Sequence, residues 1–494
     1  MASERNSPLE LDPDLFRTLG HQLVDELAEL LGDLRSPASR PLVQPQSAAE
    51  VQAAVGDAPL PERGSPPDVV LQEATKLVLD RSLLVGHPRF LGYVCGAPAP
   101  LGILGDLLAA GVNANAGGWP LGPVATEIER QAVRWTAELL GFPAGDGILV
   151  SGGNMANFVG FLAARRAKAP WDVRAEGTSR GQLRVYCSAE THTWIQKAAD
   201  MFGLGTDSIR WIETDADQRL RTDALRAAID ADRAAGDAPF LVVGTAGSVS
   251  TGAVDPLPEL RRICDEEDLW LHVDGAYGAF AACLPDAAED LLGLREADSI
   301  AVDPHKWLYA PLEAGAVLVR EPQALLDTFS YRPPYYHFEE ETVNYFERGP
   351  QNSRGFRALK VWLSLQQAGR RGYVESIAED CRLARLLHEL CADDPELEAR
   401  TCNLSITTFR FRPEGVEGEE LDRLNEELLE RLQREGEVFV SNAVLDGSFF
   451  LRACVVNFRT TEDDIRALTE IVKRVGAELA GATAEISPAA IKAK

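Results

Sequence analysis

Five short apolar runs constrain this chain most. They fall at 147–150, 184–187, 240–244, 270–273 and 299–302, and amphipathic helical patterns separate most of them. A run with no polar alternation expects burial on both faces. Strands of that kind, joined by crossover helices, build a mostly parallel sheet covered on both sides. Beyond residue 353 the texture changes. Residues 404–411 alternate, 438–440 and 449–457 also read as strands, and they flank a helix at 419–434. A last helix sets Ile465, Leu468, Ile471, Val472 and Val475 on one face, with Thr461 and Asp464 as its capping pair. At the other end, residues 15–34 carry leucines at helical spacing, and a proline-rich connector follows. The expected organisation has three parts. Residues 1–86 form a helical segment that packs on its own chain or on a partner subunit. Residues 87–370 form a large α/β domain, and residues 371–494 a small α+β domain.

The net charge of −27 argues against nucleic acid and anionic membrane as main partners. No stretch approaches the roughly 20 apolar residues of a membrane span. The polar first residues lack the apolar core of a signal peptide, which makes the cytoplasm the expected location. Eight cysteines without a C-x-x-C pair read as buried thiols. No metal is expected. His272 and Asp274 share a strand face, and His305 lies nearby, but the spacing offers no further ligand.

Three segments carry chemistry. Asp303-Pro304-His305-Lys306-Trp307 follows the last apolar run directly. Ligands of open parallel sheets sit beyond the carboxyl ends of the strands. A lysine held there beside Trp307 can lose its proton and attack a carbonyl. Asp274 ends the run 270–273. Ser151-Gly152-Gly153-Asn154 lies between a strand and a helix, where free N–H groups and the helix dipole bind phosphate. Each segment alone is weak. Together, a lysine for a Schiff base, a carboxylate for a pyridine nitrogen and a phosphate cradle are the parts that pyridoxal 5'-phosphate requires. His192, just after the run 184–187, offers a flat ring for stacking on that cofactor.

These residues resemble the group II pyridoxal-phosphate-dependent amino acid decarboxylases, whose members act on aromatic amino acids, tryptophan, histidine or glutamate. The likeness runs from about His87 to Arg459. It rests on Asp303 to Trp307, His272-Val273-Asp274, Thr245-Ala246-Gly247, the 151–154 turn, 352–357 and 87–93. The resemblance implies fold type I, the aspartate aminotransferase-like fold, and a homodimer with shared active sites. It makes Lys306 the covalent anchor of the cofactor and Asp274 the partner of the pyridine nitrogen. It stacks His192 over the ring and puts Gly153, Asn154, Thr245 and His305 among the cofactor contacts. Asp303 stands where some relatives carry Asn, and a carboxylate beside a phosphate is repulsive unless it points away.

The segment 329–348 has no period and holds Tyr331, Tyr335, Tyr336 and Tyr345. In the family a loop here closes on the neighbouring subunit, and its tyrosine protonates the carbon left after CO2 departs. Counting back from Lys360 assigns that role to Tyr345. Tyr93, Val94, Asn115, Gly117 and Trp307 match substrate-pocket positions. The expected reaction is decarboxylation of an L-amino acid, aromatic by preference. Aliphatic or acidic substrates, and an aldehyde synthase or aminotransferase on the same fold, are the alternatives.

Overall fold

The computed structural model describes residues 7–36, 39–332 and 342–486. The apolar runs become strands of one seven-stranded sheet: β1 (Asp146–Val150), β2 (Leu183–Ser188), β3 (Ile209–Ile212), β4 (Ala238–Thr245), β5 (Trp270–Asp274), β6 (Ser299–Val302) and β7 (Gly315–Val319). Their order is β1-β7-β6-β5-β4-β2-β3. All neighbours pair in parallel except β7, which runs antiparallel to both β1 and β6. Strand β4 displays the two-sided burial that its sequence requires. Val242 faces one apolar cluster with Leu257, Leu260 and Ile263, while Leu241 and Val243 face another with Phe161 and Trp194. Each such side chain, fully buried, contributes about 1.5–3 kcal/mol.

Helices precede and cover this sheet. The first six of at least eight residues are α1 (Pro13–Asp33), α2 (Ala48–Val55), α3 (Pro67–Arg81), α4 (Pro100–Val112), α5 (Pro123–Leu140) and α6 (Gly153–Lys168). Helix α6 lies on the sheet and buries Ala156, Phe158, Val159, Phe161, Ala163 and Ala164. By contrast, α1 buries only Leu19, and α2 buries nothing. Phe16 and Val24 of α1, Val70 and Val78 of α3, and Leu104, Leu107 and Leu108 of α4 are exposed.

The long helix Ala358–Asp393 links the two sheets and breaks its backbone geometry at Gly369. Beyond it a four-stranded antiparallel sheet has the order β10-β11-β9-β8, with β8 (Leu397–Asn403), β9 (Ile406–Phe411), β10 (Ser441–Leu445) and β11 (Ser448–Cys454). Helices Gly418–Glu435 and Glu462–Ile486 cover it. The second starts where the sequence indicates: Asp464 accepts from the Thr461 backbone N–H at 3.0 Å and from its hydroxyl at 2.8 Å. All eight cysteines are unpaired, and Cys187, Cys264, Cys381, Cys391 and Cys454 are buried.

Candidate active site

The carboxyl ends of β1, β2, β4, β5 and β6 converge on one cavity of about 220 Å³. Val94, Gly153, Asn154, His192, Thr245, Asp274, Asp303 and Lys306 line it. Segments separated by more than 200 residues thus meet at one end of the sheet, as open parallel sheets favour.

Lys306 sits in the short turn Pro304–Trp307 that follows β6. Its Nζ lies 3.0 Å from Asp303 Oδ2. Burial by itself lowers the ammonium pKa, but the Asp303 carboxylate, and Asp274 beyond it, outweigh burial and hold it above its usual value. This corrects the expectation of an apolar setting that strips the proton. Trp307 is turned away from the cavity. It is fully buried, stacks on Tyr277 at 5.0 Å, and donates its indole N–H to Asp380 at 2.9 Å. Trp307 therefore anchors the lysine turn from behind and is no substrate-pocket wall.

Asp274 ends β5 with its carboxylate already oriented. It accepts from the Trp194 indole N–H at 2.7 Å and from the Ala276 backbone N–H at 3.2 Å. Beneath it, His272 is fully buried, and burial pushes its pKa down to about 4. Its two ring nitrogens meet Ser299 Oγ and Asn157 Oδ1, each at 2.8 Å. Both ligand positions of His272 are thus engaged, which leaves it a packing role.

The anion cradle is the start of α6. Gly152 precedes that helix at φ +107°, a conformation that side chains rarely adopt, and no side chain caps the helix. A Cβ on Gly153 would fall 2.6 Å from Asp303 Oδ2, so only glycine leaves the helix end open. His305 Nδ1 lies 2.6 Å from the Ala314 carbonyl and 3.2 Å from the Ala314 backbone N–H. Nε2 faces Asp303 Oδ2 at 3.8 Å. Burial lowers the His305 pKa, and Asp303 opposes that shift. Thr245 ends β4 with its backbone N–H bound to Asp255 and its hydroxyl without a partner. His192 stands at the rim. Its Nδ1 accepts from the Trp194 backbone N–H at 3.3 Å, leaving Nε2 to carry hydrogen in the neutral ring. Partial desolvation lowers its pKa, and Asp274 opposes this.

Other expected positions lie elsewhere. Tyr345 is buried in a cluster with Ile148, Val150, Val317 and Val319, and the Arg354 guanidinium lies 4.9 Å from its ring centre. That packing holds it in the core of its own protomer, away from the cavity, and removes the basis for naming it the proton donor. Tyr331 is exposed beneath Arg174, and Tyr335 and Tyr336 lie outside the described residues. Asn115 and Gly117 do not line the cavity either. Asn115 Oδ1 fixes a turn by accepting from the backbone N–H groups of Gly117 and Arg354. Tyr93 is half exposed, and its carbonyl accepts from Arg452. Only Val94 of the expected substrate residues reaches the cavity.

Sequence reasoning missed Trp194, Asn157 and Tyr277. Nothing local marks them. Trp194 meets Asp274 across 80 residues of chain, and only the parallel register brings them together.

The residues present fit pyridoxal phosphate. An uncapped helix end waits for an anion, Asp303 Oδ1 and Thr245 Oγ1 are unpartnered within the cavity, and lysine and aspartate stand at adjacent strand ends. Such a sheet with such a site defines a pyridoxal-phosphate enzyme of fold type I. The sequence profile of the pyridoxal-dependent decarboxylase conserved domain matches residues 51–412, and the chain belongs to that family, whose members are carboxy-lyases. It is 34% identical to aromatic-L-amino-acid decarboxylase of Bacillus atrophaeus over 478 residues, 95% of this chain and 97% of that protein. It is 31% identical to 4-hydroxyphenylacetaldehyde synthase of Rhodiola rosea over 412 residues, 82% of this chain and 84% of that protein. The solved structure of Oryza sativa TDC with PLP and tryptamine superimposes with a TM-score of 0.88 at 28% identity, covering 96% of this chain and all of that one.

Proposed function

We propose that this chain removes the carboxylate of an aromatic L-amino acid as CO2 and leaves the amine. The observation that carries this reading is the single cavity in which Lys306, Asp274 and the open end of α6 meet. The aromatic preference is supported by the near full-length likeness to an aromatic-L-amino-acid decarboxylase. Bound pyridoxal phosphate supplies a carbonyl for the amino group and a ring that accepts the electrons of the breaking bond. The chain's own residues do the rest. Lys306 would hold the cofactor through its Nζ. Asp274, held by Trp194 and Ala276, keeps a proton at the pyridine nitrogen. The N–H groups of Gly153 and Asn154, with His305, hold the phosphate. Thr245 offers its free hydroxyl to the cofactor's edge. His192 would lie against the cofactor ring, with its Nε2–H available to carry a proton at the rim. Val94 forms part of the wall against the substrate side chain.

The assay is a product screen. Protein saturated with pyridoxal phosphate is given each common L-amino acid, and amine, aldehyde and keto acid are quantified by mass spectrometry. The expected result is one dominant aromatic amine. An amine from glutamate or an aliphatic acid overturns the substrate class. The likeness to a 4-hydroxyphenylacetaldehyde synthase supports a second reading, in which the same screen yields aldehyde.

We also propose a homodimer. The apolar residues left exposed on α1, α3 and α4 fit a second copy of the chain. Sedimentation of a single 53.7 kDa species would count against it. Unpaired cysteines fit a reducing compartment, which supports a cytoplasmic location. Among the described residues no helix is long and apolar enough to cross a membrane.

A further inference from the structure

The turn between β8 and β9 is built against its own preference. Asn403 pairs with Ile406, so Leu404 and Ser405 alone make the reversal. Leu404 holds φ +51°, a left-handed conformation that such turns usually give to Gly or Asn. The large domain supplies the reason. A Cβ on Gly278 would fall 2.5 Å from Leu404 Cδ1, so the leucine side chain plugs a space that glycine leaves open. Asn403 donates its side-chain N–H to the Thr251 carbonyl at 3.1 Å. Ser405 is fully buried. Its backbone N–H donates to the Tyr277 hydroxyl at 2.9 Å, and its Oγ lies 2.6 Å from the same oxygen. Its carbonyl accepts from the Val455 N–H, which carries the link back into the small domain.

Tyr277 is the other end of this contact. It lines the cavity, stacks on Trp307 behind the lysine turn, and follows Asp274 by three residues. A Cβ on Gly247 would fall 2.8 Å from its ring, so the loop after β4 packs on it too. That loop is also tied to the one after β5. Gly278 N–H donates to the Ala246 carbonyl at 3.0 Å, and Ala246 N–H to the Asp274 carbonyl at 2.9 Å. One hydroxyl thus joins the small domain to the two loops that carry Thr245 and Asp274.

We propose that Ser405 is a positioning residue for the cofactor. From the small domain, and through the Tyr277 hydroxyl, it fixes the strand-end loops against which pyridoxal phosphate settles. Such coupling is reciprocal: the cofactor steadies the β8–β9 turn by the factor by which the turn tightens the cofactor. The inference rests on the placement of the cofactor in this cavity.

Hydrogen exchange read by mass spectrometry tests it on the full chain, with and without pyridoxal phosphate. In the wild type the cofactor is expected to slow exchange at 404–409 about tenfold, and to leave the helix Gly418–Glu435 of the same domain little changed. Tyr277→Phe keeps the ring and removes only the oxygen that Ser405 holds. Its Kd for the cofactor, from spectrophotometric titration, is expected to rise about tenfold, and the slowing at 404–409 to vanish. Ser405→Ala keeps the N–H contact and is expected to show both effects at about threefold. A purely structural contact would lower the melting temperature and leave Kd and the cofactor-dependent slowing as they are; that result in both variants overturns the proposal. Unchanged exchange at 404–409 in the wild type overturns it with no variant needed, and so does equal slowing there and in the helix. Borohydride reduction and peptide mapping separate this failure from that of the site. No label on Lys306 strikes the cofactor placement, whereas labelled Lys306 with unchanged exchange strikes Ser405 alone.

Discussion

Replacing Asp380 by Asn should flatten the pH dependence of stability. Asp380 lies on the helix Ala358–Asp393, is 1% exposed, and accepts from the Trp307 indole at 2.9 Å and the Tyr309 hydroxyl at 2.7 Å. Burial, only partly offset by those two donors, pushes its pKa up to about 7. The folded state therefore holds a proton that the unfolded state releases near pH 4. Between those values the folded protein binds more protons, so stability falls as pH rises. From about pH 5 to about pH 8 this single group removes about 3 kcal/mol. The chain has 494 residues, and at about 2.1 cal/mol/K per residue its unfolding entropy is about 1 kcal/mol/K. The loss is then about 3 °C in melting temperature. Asn keeps one acceptor for both donors and cannot ionise, at a pH-independent cost of about 1 kcal/mol for the backbone N–H of Asn457, which also binds this carboxylate. D380N should melt slightly below the wild type at the acid end and above it at the alkaline end. Calorimetric scans of both cofactor-saturated proteins across that range make the comparison, and other titrations cancel in the difference. Two curves that stay parallel would refute a titrating Asp380.

Other expectations are local. Trp194→Phe removes a buried donor to Asp274 worth about 1.5–3 kcal/mol; cofactor affinity should fall about tenfold, and the visible band of the bound cofactor should shift, as read by spectrophotometric titration. Gly153→Ala forces a Cβ against Asp303 and should cost about 1–3 kcal/mol, read as weaker cofactor binding in spectrophotometric titration and as a lower melting temperature of the cofactor-free protein. Tyr345→Phe keeps the buried ring and should leave the ratio of amine to aldehyde unchanged; a swing toward aldehyde in the mass-spectrometric product assay would restore the catalytic role that its packing denies.

The sequence revealed the parallel sheet because strands buried on both faces leave an uninterrupted apolar record, as in 240–244 and 270–273. Lys306, Asp274 and Gly153 stood out because each follows or ends a periodic run, and all three line one cavity. Strand β3 escaped notice because it is an edge strand, with Arg210 half-buried and Trp211 exposed amid its apolar residues. Strand β7 was passed over because it follows the lysine turn without an intervening helix. Tyr345 was misjudged for a different reason. A segment without period gives no face, and its burial against Ile148 and Val317 depends on chain nearly 200 residues earlier and on β7. Trp307 likewise looked like a wall of the site until Asp380, 73 residues on, claimed its indole.

Strand β7 runs against its neighbours, and this has a consequence for traffic along the chain. The Lys306 turn enters and leaves at the ligand end of the sheet, because β6 delivers it and β7 carries the chain away. After Val319 the chain emerges at the opposite edge, with the whole length of the sheet between it and the cavity. Residues 320–332 therefore leave the sheet from the end far from the cavity. One reversed strand thus decides that the chain next to the lysine turn returns from the chemistry instead of staying beside it.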